Sequence, residues 1–97
     1  MNQTLKVIAR LQVQDNQVEA ALVVFQKLLP QVRQEQGCIS YVLLQNAAQP
    51  THFTFVEEWR DETALANHMK AEPLTTAFAV LMPLLVAEPE VQTCIEV

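Results

Sequence analysis

The sequence predicts an α+β domain whose elements run β-α-β-β-α-β. Three observations carry that reading. Apolar residues alternate strictly in LKVIARLQVQ and in HFTFVEEW, apolar residues recur at helical spacing after each of them, and caps, prolines or the lone glycine stand at the junctions.

In LKVIARLQVQ, Leu5, Val7, Ala9, Leu11 and Val13 point one way, and Lys6, Arg10, Gln12 and Gln14 the other. That is a strand with one buried face. In DNQVEAALVVFQKLLPQVRQEQG, Val18, Leu22, Phe25, Leu28 or Leu29, and Val32 form a helical stripe. Asn16 is placed to cap its first turn, with Glu19 three residues on as the partner of a capping box. Pro30 removes a backbone donor, so it predicts a kink or an end to the first part of this helix. Gly37 sits where the helix must stop, because glycine takes the left-handed stop conformation at little steric cost.

CISYVLLQNA predicts a second strand that is apolar on both sides, Ile39, Tyr41 and Leu43 against Cys38, Val42 and Leu44. AAQPT makes a loop with Pro50 as breaker. HFTFVEEW is the third strand, with Phe53, Phe55, Glu57 and Trp59 on one face and His52, Thr54, Val56 and Glu58 on the other, so strands two and three read as a hairpin. DETALANHMKAE starts a helix with Asp61 as N-cap and Glu62 in the acid-favoured first turn. Pro73 opens a separate short helix, PLTTAFAVLMP, with Leu74, Ala77, Phe78 and Leu81 as its inner stripe. After Pro83 and Pro89, VQTCIEV alternates as a last strand. This order is the split-βαβ, ferredoxin-like pattern, an antiparallel sheet of strand order 4-1-3-2 with helices on one face. Cys38 and Cys94 then fall on opposite edges, which excludes a disulfide between them.

The 97 residues predict one domain, 1–97. Hydrophobic residues make up 51% of it, more than one small core needs, so the surplus predicts a ligand cavity or an apolar face covered by a second subunit. Two sheets packed face to face would cover that face in both copies, which predicts a symmetric homodimer. The net charge is −5, and the six basic residues form no stripe, which argues against a nucleic-acid partner and against a polybasic membrane patch. MNQTLKVIAR lacks the pattern of a secretory leader, and no apolar run approaches a membrane span, so a cytoplasmic protein with two buried, reduced thiols is expected.

No glycine-rich phosphate loop, C-x-x-C, H-E-x-x-H, G-x-S-x-G or dinucleotide fingerprint is present, so no cofactor is expected. The stretch FVEEWRDETALANH holds the candidates. His68 follows Leu65 by three residues and Ala64 by four, which turns it toward the sheet, where an imidazole serves either as a general base or as a core histidine with one structural hydrogen bond. Glu57, between Phe55 and Trp59 on a dry face, either orients His68 or binds a substrate hydroxyl, or else pairs with Arg10 or Lys6 on the neighbouring strand. Trp59 stacks on a flat ligand or fills the core. Tyr41 donates to a carbonyl or phenolate, or lies at a dimer seam. Phe25, Phe53, Phe55, Phe78, Met69 and Met82 are core or the walls of a slot for an apolar ring, and His52 is expected to be solvated.

The stretch FTFVEEWRDETALANHMKAEPLTTAF resembles the antibiotic biosynthesis monooxygenase family, in which a strand ending E-x-W is followed by a capped turn, a helix with L-x-x-H and a second short helix. LKVIARLQVQ and QEQGCISYVLLQN also resemble it, especially its quinol monooxygenase-like members, so nearly the whole chain is covered. The resemblance implies a dimeric α+β barrel with a cavity between sheet and helices. It also implies oxygenation of a small aromatic quinol or polyphenol by O2 without flavin, metal or haem. On that assignment His68 is the base, Glu57 steadies it, and Tyr41 is the donor. Trp59, Phe25, Phe55, Met69 and Phe78 form the slot. The haem-degrading relatives use an axial histidine on the short second helix; the matching LTTAFAVL has Phe78 there and no histidine. A non-catalytic ligand-binding dimer module and a small-molecule isomerase are the alternative readings.

Overall fold

The alternating segments pair into one sheet because each has a single face to bury. The computed structural model describes residues 3–97; Met1 and Asn2, the first residues of the stretch read for a leader, lie outside them. In chain order the elements are β1 (Leu5–Gln12), α1 (Val18–Arg33), β2 (Cys38–Gln45), β3 (His52–Trp59), α2 (Glu62–Met69), α3 (Glu72–Leu81) and β4 (Glu90–Cys94), with 3-10 turns at Asp15–Gln17 and Met82–Leu84. All neighbouring strands are antiparallel, and the sheet order is β2-β3-β1-β4. This is the expected ferredoxin-like α+β topology read from its other edge.

The core lies on the helix side of the sheet. Val7, Ala9 and Leu11 of β1 and Phe53, Phe55, Glu57 and Trp59 of β3 are buried there, against Ala21, Phe25, Leu28 and Val32 of α1, Ala64 and His68 of α2, and Leu74, Ala77 and Leu81 of α3. Phe25 joins the layers, its ring centroid 5.0 Å from Phe53 and 5.5 Å from Phe55. Offset and edge contacts of this kind add to the area the rings bury.

Three local expectations are corrected. The chain enters α1 through the 3-10 turn Asp15–Gln17, so Asn16 lies inside that turn and the cap position falls to Gln17, which makes no side-chain cap bond. Pro30 neither ends nor splits α1, which runs on to Arg33. Leu28 and Val32 on either side of it are buried while Pro30 itself is exposed, so core packing outweighs the lost backbone bond. The cysteines are free, but Cys38 is only half-buried and Cys94 is exposed. The reason is position: both strands are sheet edges, and every residue of β4 is exposed.

Asp61 caps α2 as expected, its carboxylate accepting from the Ala64 backbone N–H at 2.8 Å. Gly37, with φ +84°, turns the chain from α1 into β2, and its carbonyl accepts from the Arg60 N–H at 2.8 Å. That bond ties the α1–β2 turn to the β3–α2 turn. A Cβ on Gly37 would stand 2.4 Å from the Ala64 Cβ, so the bare glycine is what lets α2 settle against this turn. Gly37→Ala is expected to lose roughly 2–4 kcal/mol, from left-handed backbone strain plus overpacking. Urea unfolding measures this; a loss under about 0.5 kcal/mol, the size of a surface effect, would contradict the contact.

Candidate active site

The last turn of α2, the end of β3 and the turn after α1 meet at His68. Ala64 and His68 share one face of α2, being four residues apart. Because Ala64 rests on Gly37, His68 is carried to the residue two places before that glycine, Glu35. The imidazole Nδ1 lies 2.9 Å from Glu35 Oε1. On its other side the ring stacks on Trp59, centroids 4.4 Å apart and planes inclined by 27°. Tyr41 stands edge-on at 5.6 Å.

Glu57 lies opposite Val7 of β1 and Tyr41 of β2 in the sheet register, and it is 6% exposed. Its Oε1 accepts from the Trp59 indole N–H at 2.9 Å. The same oxygen is 3.9 Å from His68 Nε2, too long for a hydrogen bond. Of the alternatives for Glu57, the ion pair with Lys6 or Arg10 does not form. Lys6 turns to the free face of the sheet, toward Glu58 and Glu96. Alternation on β1 points Lys6 and Arg10 away from Glu57, so no rotamer brings them to it.

Electrostatics follow from this dryness. Burial pushes the Glu57 carboxyl up to about 7, against the pull of the indole hydrogen bond, and Glu35 adds to the rise. Burial lowers His68, partly opposed by its bond to Glu35. Near neutral pH the histidine is therefore a neutral base, and Glu57 is close to half-protonated. Burial, reinforced by Glu57 and Glu35, raises the Tyr41 phenol, so it stays a donor. Burial also raises the Cys38 thiol, helped by Glu35 and Glu57, so this cysteine is no nucleophile at neutral pH.

Glu57 should leave a signature in stability. Its carboxyl titrates from about 4.5 when unfolded to about 7 when folded, so the native state holds the extra proton in that window and loses stability as pH rises through it. Relative to Glu57→Gln, the wild type is expected to lose on the order of 3 kcal/mol between pH 4.5 and 8. His68, lowered by burial, acts in the opposite direction in both proteins, so the difference leaves the Glu57 contribution together with its coupling to His68. Urea midpoints across that range measure it; a pH-independent difference would mean that Glu57 is ionised throughout.

The structure thus brings together His68, Glu57, Trp59 and Tyr41. Tyr41 lies inside, 2% exposed. Phe55 adjoins Tyr41 at 5.3 Å, and Phe25 sits one layer further in. Met69 and Met82 are exposed and Phe78 is partly buried at the margin of the core, so none of them is seen against His68. His52 is half-buried, its Nδ1 3.1 Å from Thr51 Oγ1. Glu35 is the member that sequence reasoning missed. It follows the end of α1, outside any periodic stripe, and its only signal is its place two residues before the glycine stop.

His68 is 2% exposed. A cleft of about 650 Å³ opens on the free face of the sheet, between Arg10, Gln12, Leu44, His52, Thr54 and Glu90 among others. A groove of about 270 Å³ runs between α1 and α3. Neither is lined by His68, Glu57 or Trp59. Among the described residues no group of three or more His, Cys, Asp or Glu could hold a metal ion, and no helix is long and apolar enough to cross a membrane.

Comparison with known proteins places these features in context. The family model described as antibiotic biosynthesis monooxygenase matches residues 4–80. A crystal structure described as an antibiotic biosynthesis monooxygenase superposes with a TM-score of 0.92 at 30% identity, covering 96% of this chain and 98% of the other. A conserved protein from Methanosarcina mazei Go1 superposes with a TM-score of 0.90 at 28% identity, covering 95% and 91%. An uncharacterised protein of Synechocystis sp. is 30% identical over 83 residues, 86% of this chain; the chain spans 56% of that relative's length.

Proposed function

The chain belongs to the antibiotic biosynthesis monooxygenase family, and on that premise we propose that it is a cytoplasmic, single-domain homodimer that oxidises a small aromatic quinol or polyphenol with O2. The observation that carries the reading is the buried imidazole of His68, its Nδ1 2.9 Å from Glu35 Oε1 and its Nε2 without a hydrogen bond among the described residues, Glu57 Oε1 lying at 3.9 Å. Burial lowers its titration, which favours the neutral form. Ground-state O2 is a triplet and reacts slowly with a closed-shell phenol; a phenolate gives up an electron far more readily. His68 and Trp59 are enclosed and neither the cleft nor the groove reaches them, so the reading requires the side chains around His68 to part and admit the ring. Nε2 then takes the phenol proton, and Trp59 and Phe55 supply apolar ring faces. The Tyr41 hydroxyl donates to the anion. One oxygen atom of O2 then enters the ring and the other leaves as water, the substrate supplying all the electrons as it passes from hydroquinone to hydroxyquinone. The dimer closes through the free face of the sheet, where Val42, Val56 and Ile8 line up across β2, β3 and β1, and Val42 and Leu44 are exposed.

A second reading, a non-catalytic ligand-binding dimer module, draws on the burial of His68 and on a cleft and a groove that lie elsewhere. Against it, Glu57 is not locked to Arg10. An isomerase of the same fold would need the base and no oxygen. Oxygen uptake with a panel of reduced quinols and anthrone-like phenolics, corrected for autoxidation, separates the three. Uptake above background, with one atom of labelled O2 in the product, supports the oxygenase. Saturable binding of the same rings without uptake supports the module, and rearranged product without uptake supports the isomerase.

A further inference from the structure

The imidazole of His68 has two nitrogens in different surroundings, and among the described residues only one has a hydrogen-bond partner. Nδ1 meets Glu35 Oε1 at 2.9 Å. Nε2 faces Glu57 Oε1 at 3.9 Å, and that oxygen is already taken by the Trp59 indole. We propose that Glu35 is the positioning residue of this site, its carboxylate holding the His68 proton on Nδ1 and leaving the Nε2 lone pair turned toward Glu57. The role in turnover rests on the oxygenase reading; the tautomer does not.

A carboxylate only accepts, so the bond it makes must be donated by Nδ1–H. That fixes the tautomer, and with it which nitrogen can act as base. The support of Glu35 is rigid. Its N–H donates to the Val32 carbonyl at 2.9 Å, its own carbonyl accepts from the Cys38 N–H at 3.1 Å, and Gly37 closes the turn. Its second oxygen, Oε2, is buried and has no hydrogen-bond partner among the described residues. Leaving a carboxylate oxygen buried and unpaired is costly and gives the turn nothing structural. Among the described residues the hydrogen bond of this side chain is the one to His68. The groups that face His68 are Glu35 from the turn after α1, Glu57 and Trp59 from β3, and Tyr41 from β2, with Cys38 near both carboxyls. None besides Glu35 makes a hydrogen bond to the ring.

The test is side-chain nitrogen NMR on the wild type, Glu35→Ala, Glu35→Gln and Glu35→Asp. There are two histidines, so His52→Gln assigns the signals. In the wild type, above the His68 titration, Nδ1 is expected to be protonated and Nε2 bare. In Glu35→Ala the preference for one tautomer is expected to disappear. In Glu35→Gln, which keeps the shape of the turn if the alanine variant does not fold, the titration is expected to move lower because the charge that raises it is gone. Glu35→Asp is expected to restore part of the preference. For a quinol that the wild type turns over, kcat in Glu35→Ala is expected to fall about 100-fold, the cost of a misplaced base, with KM little changed. A wild type protonated on Nε2, or a tautomer and titration unchanged in every variant, overturns the proposal. Loss of the tautomer in Glu35→Ala upholds it even if the wild type consumes no oxygen, in which case it is the oxygenase reading that falls.

Discussion

Oxygen uptake by His68→Ala is expected to fall by about 10²–10⁴-fold relative to the wild type, the range attributed to a positioned general base. The expectation follows from the state of the ring. Burial holds His68 below its ordinary value of 6.5, so at neutral pH it is already in the base form. The acid limb of the wild-type kcat/KM profile should therefore lie below pH 6.5, and it should vanish in the variant. Alanine leaves a hole the size of the ring beside Trp59 and strips Glu35 of its partner, so the variant must first be shown to be folded and of wild-type size. Added imidazole, which fits that hole, is expected to restore part of the rate. Uptake that survives the substitution would keep the oxygenase and remove His68 as its base.

The second large effect concerns Trp59, which is fully buried. Trp59→Ala is expected to lower the unfolding free energy by about 3–5 kcal/mol, through lost apolar burial and the cavity left behind. Two specific contacts go with it, the stack under His68 and the indole N–H to Glu57. Trp59→Phe separates them: it keeps an aromatic face and removes the donor, and is expected to cost about 1–3 kcal/mol, the penalty of an unsatisfied buried group. Combined with Glu57→Gln, the Trp59→Phe loss should change by about 0.5–3 kcal/mol, because the two residues share one hydrogen bond. Denaturant unfolding of the four proteins measures this; additive losses would mean that the bond contributes nothing to stability.

Much of this protein was legible one residue at a time. Strict alternation in β1 and β3 requires one buried face and therefore a sheet, and the same alternation placed Glu57 and Trp59 together. Spacing of three and four placed His68 on the inner side of α2. Asp61 and Gly37 marked their junctions because each depends on local chemistry, a side-chain acceptor for a free N–H and a backbone free of Cβ repulsion.

Where local rules competed with packing, packing decided. Pro30 stands inside α1 because Leu28 and Val32 bury on either side of it, and Asn16 lost its capping role to a 3-10 turn that periodicity does not announce. Edge position, a property of the whole sheet, left Cys94 exposed. The partner of His68 was decided the same way. The sequence placed Glu57 and His68 near one another, and that much held. Only the tertiary structure could pair His68 with Glu35, 33 residues away, because the pairing depends on α2 resting against the turn at Gly37. Periodicity is set by the backbone within one element. A contact between elements is set by how they pack, and that information belongs to no single stretch of the chain.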